Sequence, residues 1–153
     1  MPDLDDTDRR LVRVLQRDAT LSTQELAERA GLSASPAWRR VRRMTEDGVI
    51  AAQVVLVPPR ALGLSALAYV QVSLLDHREE TIAAFDRFVQ AEDQVVECAT
   101  ITGASDYLLK IVAEDAEGLE RFLMRRLLAT GIIRATVTNF VLRQTKYTTA
   151  LPV

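Results

Sequence analysis

The stretch Leu21–Ile50, LSTQELAERA GLSASPAWRR VRRMTEDGVI, decides how this 153-residue chain is read. It divides into two short helical segments joined by Gly31-Leu32-Ser33, and the second segment carries Arg39, Arg40, Arg42 and Arg43. Two helices across such a turn make the layout of a helix-turn-helix, in which one helix braces and the next lies in the DNA major groove. Ser22 followed by Glu25 predicts a capping box at the start of the first helix. Gly31 stands where the chain must turn left-handed, which only glycine does without a Cβ penalty. The second helix has two candidate starts. Ser33 suits an N-cap, yet Pro36 biases Ser35 away from helical angles and suits a first helical position itself. Either way, hydroxyls and free N–H groups gather at an end that receives phosphate well.

Helical geometry sorts the arginines. At about 100° per residue, with Arg39 at zero, Arg43 falls near 40°, Arg40 near 100° and Arg42 near 300°. These four form one basic arc, and Ala37, Trp38, Val41, Met44 and Thr45 lie opposite as a predicted core-facing stripe. The solvated side of any amphipathic helix carries charges too; the caps and the turn are what favour a groove reader. Leu21, Leu26, Ala27, Ala30 and Leu32 are spaced to pack against Val41 and Met44. Upstream, Asp5 is placed to cap a helix whose apolar positions are Leu11, Val12, Val14 and Leu15, with Leu4 as a staple. Downstream, Gly48 is read as the C-cap, and the β-branched run VIAAQVVLV (49–57) predicts a strand that stops at Pro58-Pro59. Three helices plus a strand make a winged helix-turn-helix, assigned to residues 1–58.

The remainder, 59–153, predicts a second domain. Strand candidates are LSALAYVQVSLL (64–75), VVECATIT (95–102), YLLKIVA (107–113) and IIRATVTNFVLR (132–143). Helices fall at 81–91, with Ile82, Phe85, Phe88 and Val89 on one face, and at 116–128, with Leu119, Phe122, Leu123 and Leu127. The order βαββαβ is the ferredoxin-like arrangement, with helices on one face of an antiparallel sheet. Its other face and its edges need covering, and a second copy is the economical cover. The fold class is therefore α+β.

Charge is the objection to DNA binding: the formal net charge is −2 and the pI is near 5.5. Residues 1–50 hold nine arginines against nine carboxylates, so neither half supplies a basic field. Screening at physiological salt removes influence beyond about 8 Å, so local clustering is what counts. A weak field predicts that several copies act together. With no long apolar run, an acidic N-terminus and one cysteine, the chain is expected to be cytoplasmic.

Nothing points to an enzyme. His77 is the only histidine, so no histidine pair holds a metal; as a loop residue it is expected to be solvated. Cys98 alternates with neighbours expected to be buried and has no base partner, which favours a core role. Walker, Gly-x-Gly-x-x-Gly and His-Glu-x-x-His motifs are absent. Catalytic residues, metal ligands and cofactors are expected to be none.

The two halves together resemble the Lrp/AsnC family, the leucine-responsive or feast/famine regulators. The residues that carry the likeness are LDDTDRRLVRVLQRDA, ELAERAGLS, RRVRRM and DGVI, then ECATITGASDYLLKI and FVLRQTKYTTALPV. The resemblance implies a nucleoid-associated transcriptional regulator that binds double-stranded DNA, assembles as dimers and octamers, and answers to a small amino acid bound between dimers. It assigns DNA contacts to Ser33, Ser35, Arg39, Arg40 and Arg43, with Arg42 at the flank on a phosphate. It assigns the effector to Gly103, Ala104, Ser105, Asp106, Tyr107 and Leu108, with Thr136 and Thr138 on the last strand. Turn N–H groups would take the α-carboxylate, and Asp106 or the threonines the α-ammonium. Many relatives have Asp after the glycine where this chain has Ala104, which keeps open a second reading: an architectural, nucleoid-type DNA-binding protein without ligand response.

Overall fold

The computed structural model describes residues 3–153, so the first two residues of the expected 1–58 domain lie outside it. The chain forms two compact units, one running up to Leu56 together with Thr145–Val153, the other Val57–Gln144. The C-terminal tail, grouped with the second domain in the sequence reading, thus joins the first. An extended tail has no hydrogen-bond partners of its own, and the first helix supplies them. Arg13 Nε donates to the Val153 carbonyl at 3.0 Å, Gln16 Nε2 donates to the Leu151 carbonyl at 3.2 Å, and Gln16 Oε1 accepts from the Leu151 N–H at 2.6 Å.

The first unit holds α1 (Asp6–Leu15), α2 (Thr23–Ala30) and α3 (Ala34–Glu46). Asp5 caps α1 reciprocally: its carboxylate accepts from the Asp8 N–H, and Asp8 accepts from the Asp5 N–H. Ser22 and Glu25 form the expected box on α2, and Gly31 ends it at φ 71°. Ser33 is the N-cap of α3, so Ala34 and not Pro36 is the first helical residue. Proline is tolerated three residues in because the first-turn N–H groups have no intrahelical partner to lose. At the far end Asp47 is the C-cap and Gly48 follows at φ 73°. Leu11, Leu26, Ala27, Ala30, Ala37 and Met44 form the buried core, with Leu4, Leu21, Leu32 and Val41 packed against it.

Two expectations for this unit fail. Residues 51–58 form no strand, and Val54, Val55, Leu56 and Val57 are exposed. β-branched residues favour extended backbone, but a strand needs a ladder partner, and among the described residues this segment pairs with none. The wing strand is therefore not closed within one chain. Trp38 and Thr45 also leave the core-facing stripe: both are exposed.

The second unit has the expected βαββαβ order: β1 (Ala66–Leu74), α4 (Glu79–Ala91), β2 (Val95–Thr100), β3 (Tyr107–Ala113), α5 (Ala116–Phe122) and β4 (Ile133–Phe140). The strands are all antiparallel neighbours, in the sheet order β2-β3-β1-β4. Beyond Phe122 the expected helix loosens into a π-turn (Leu123–Leu127) and a 3₁₀ turn (Leu128–Thr130). Val70, Val72, Leu109 and Ile111 of the central strands bury against Phe85, Leu119, Phe122 and Leu127 of the helical layer. The opposite sheet face, with Leu67, Tyr69, Gln71, Leu108 and Val137, has no layer of this unit over it. Cys98 was expected in the core but stands on an edge strand and is exposed. Partial burial and then Asp86 still push its thiol pKa up, away from nucleophile behaviour.

Candidate nucleic-acid interface and effector loop

Ala37 and Met44, both fully buried, fix which way α3 faces. On the same angular scale they point at about 150°, so the outward direction is about 330°. Ser35, Arg39, Arg42 and Glu46 lie along that outward strip; Trp38 flanks it on one side and Arg43 on the other. Arg40 points back toward α1.

The four arginines are therefore not equivalent. Asp8, only 1% exposed, accepts from Arg40 Nη1 at 2.8 Å and also from Arg43 Nη2. Arg40 Nη1 reaches Asp5 as well, at 2.7 Å. The Asp8 N–H first, and Arg40 second, hold the Asp5 carboxyl below the ordinary carboxylate range. Arg42 pairs with Glu46 one turn on and lies over the Trp38 ring at 5.4 Å, a cation–π contact. Only Arg39 is left without an ion-pair or hydrogen-bond partner among the described residues. A depression of about 350 Å³ beside it is lined by Pro36, Arg39, Arg40 and Arg43. The hydroxyl of Ser33 makes no cap bond, and Ser33 and Ser35 are both exposed at the head of α3. The arc is thus one free arginine, two held by α1 and one stacked. This arrangement presents donors to phosphate while neutralising much of their charge.

Sequence reasoning missed the Asp8 anchor. Its signal was present as Asp5-x-x-Asp8, a cap with a carboxylate at its third residue, but the partners are more than thirty positions away. It also placed Trp38 inside, because an apolar residue at about 260° looks like core until the packing of α1 and α2 is known.

The expected effector residues divide between the two sheet faces. Tyr107 pairs with Val72, and Val72 with Thr136, so these lie in one row on the helix-facing side. Thr138, opposite the buried Val70, faces that side as well. Leu108 sits on the other face, opposite Gln71 and Ala99. Tyr107 is buried against Phe85, with ring centroids 4.5 Å apart. Gly103 and Ala104 are exposed at the turn, where Gly103 takes φ 119°, and Ser105 Oγ donates to Gln71 Oε1 at 3.4 Å. Asp106 is already engaged: it accepts from the Leu74 N–H at 2.8 Å and bonds His77 Nε2 at 2.8 Å. His77 first, and the Leu74 N–H second, hold its carboxyl below the ordinary value. His77 is exposed, as expected, but not idle. Among the described residues no group of His, Cys, Asp and Glu could hold a metal ion, and no helix is long and apolar enough to cross a membrane.

Comparison with known proteins agrees with this build. The model of the winged helix-turn-helix DNA-binding family matches residues 4–51, and that of the Lrp/AsnC ligand binding domain matches 67–151. The chain is 33% identical to the DNA-binding transcriptional activator DecR of Escherichia coli K12, covering 98% of this chain and 99% of that protein. Among solved structures, a transcriptional regulator of Neisseria meningitidis in complex with L-methionine superposes with a TM-score of 0.95 at 31% identity, covering 98% and 97% of the two chains. The feast or famine regulatory protein of Mycobacterium tuberculosis, also with L-methionine, gives 0.84 at 31% identity over 97% and 99%. With a helix-turn-helix unit, a ferredoxin-like unit and relatives that are regulators rather than enzymes, this chain belongs to the Lrp/AsnC family of DNA-binding transcriptional regulators.

Proposed function

We propose that the protein is a sequence-specific, cytoplasmic regulator whose grip on DNA is set by a small amino acid bound beside the β2–β3 turn, in a cleft between dimers. The observation that carries this is the fold shared with two regulators that hold L-methionine, at TM-scores of 0.95 and 0.84. The uncovered sheet face, with Leu67, Tyr69, Leu108 and Val137, suits a second copy, and assembly multiplies the weak affinity of one basic arc. In this reading Ser33, Ser35 and the four arginines contact DNA. The turn N–H groups at 103–105 receive the α-carboxylate. An effector then shifts DNA affinity by the difference in its own affinity for the two states of the assembly.

One observation favours the second reading, an architectural DNA-binding protein without effector. Ala104 offers no carboxylate, and that of Asp106 is engaged by Leu74 and His77. A thermal-shift screen against the twenty amino acids separates the two. An effector at about a hundred times its dissociation constant adds about 2.7 kcal/mol of stability. A flat response to all twenty refutes the amino-acid reading, and unpatterned protection of random DNA in footprinting then supports the architectural one.

A further inference from the structure

Trp38 is 51% exposed on the helix assigned to the major groove, and it is the only tryptophan in the chain. A half-exposed indole offers a partner a large apolar surface, because an aromatic ring is among the largest apolar surfaces a chain can bury. Its position on α3 says what that partner is. It is the fifth residue of the helix, and recognition helices meet base edges through their N-terminal residues. It adjoins the outward strip of Ser35, Arg39 and Arg42, on the side opposite Arg43, where α1 holds the arginines near the depression. Arg42 stacks over the ring at 5.4 Å and is itself paired with Glu46, so the indole is steadied from one side. The ring is thus exposed, apolar and next to Arg39, the one arginine of the arc without an ion-pair or hydrogen-bond partner among the described residues.

We infer that Trp38 is a specificity-determining residue that packs against the C5-methyl of a thymine in the major groove, beside the base or phosphate taken by Arg39. The major groove presents that methyl only at thymine, so an apolar side chain there distinguishes T from C and from the purines. The indole carries sequence information that the phosphate-holding arginines do not. The inference rests on the reading of α3 as the DNA-contacting helix.

The test uses the full-length protein and a duplex site selected by it from a random library. Tryptophan emission reports Trp38 alone, and saturating DNA is expected to shift or quench it. Trp38→Ala should lose about tenfold in affinity for the selected site and clearly less for random duplex, with the fold kept, since the side chain is half exposed and outside the buried core. Replacing thymines by uracil one at a time removes single methyls. At one position per half-site this should cost the wild type about fourfold, the effect of uncovering one methyl-sized group, and cost Trp38→Ala nothing. Unchanged emission on binding, or the same uracil penalty in wild type and variant, overturns the inference while leaving DNA binding by α3 intact. If no sequence is enriched and no duplex is bound, the reading of α3 fails and the inference falls with it.

Discussion

Asp8→Ala is the sharpest single test of how the first unit holds its DNA-facing helix. The carboxylate is 1% exposed and accepts from Arg40, Arg43 and the Asp5 N–H, so Arg43 and the Asp5 N–H lose their acceptor at once and Arg40 keeps only Asp5. Breaking a fully buried ion pair costs roughly 3–5 kcal/mol, mostly because a charge is left buried. Here the stranded charges are guanidiniums that are 31% and 49% exposed, which water rehydrates. That brings the expected loss down to roughly 2–3 kcal/mol, including a part of the capping box. For a unit of this size it corresponds to a fall in melting temperature of roughly 10–20 °C. Circular dichroism melts and urea titration of the full chain read it, and Asp8→Asn, which keeps an acceptor oxygen, should lose about half as much. Both variants remove a negative charge from behind the basic arc. Well below the melting temperature, binding to random duplex at low salt should therefore hold or strengthen. A stability loss below about 0.5 kcal/mol would refute the anchor. A parallel fall in duplex affinity would show that Asp8 positions the arginines for DNA as well.

Other perturbations separate the arginines, the two cores and the turn. Arg39→Ala should weaken duplex binding and reduce the steepness of its salt dependence by about one unit per chain, with melting unchanged; Arg40→Ala should affect both, because Asp8 and Asp5 hold it. Phe85→Ala should cost about 3–5 kcal/mol in the second unit, since the ring is wholly buried against Tyr107; a loss under 1 kcal/mol in chemical denaturation would contradict that packing. Asp106 binds its proton less readily folded than unfolded, so its contribution to stability is complete above the ordinary carboxylate pKa and is lost as pH falls through its depressed value. Melts taken from pH 6 downward should show that component in the wild type and not in Asp106→Asn.

Local signals in the sequence carried the elements. The caps at Asp5 and Ser22, the left-handed Gly31 and the apolar stripes of α1 and α2 act within one or two turns of themselves, and each stands where it was read. The βαββαβ order was legible for the same reason: hydrophobic period and turn residues are short-range properties. Pairing is not. The run 49–57 is rich in β-branched residues and forms no strand, because a ladder needs a second strand that the described chain does not supply. Register, too, is a long-range property: it sets Thr136 in one row with Val72 and Tyr107, on the sheet face opposite Leu108.

The sequence alone determined that one helix would carry a basic arc and that a ferredoxin-like unit would follow it. Tertiary structure decided what the arc is worth. It brought Asp5 and Asp8 against Arg40 and Arg43, left Arg39 without a partner among the described residues, and turned Trp38 outward under Arg42. Composition records these charges only as a sum, whereas their interaction depends on distance and burial, which exist once three helices pack around Leu11, Ala37 and Met44.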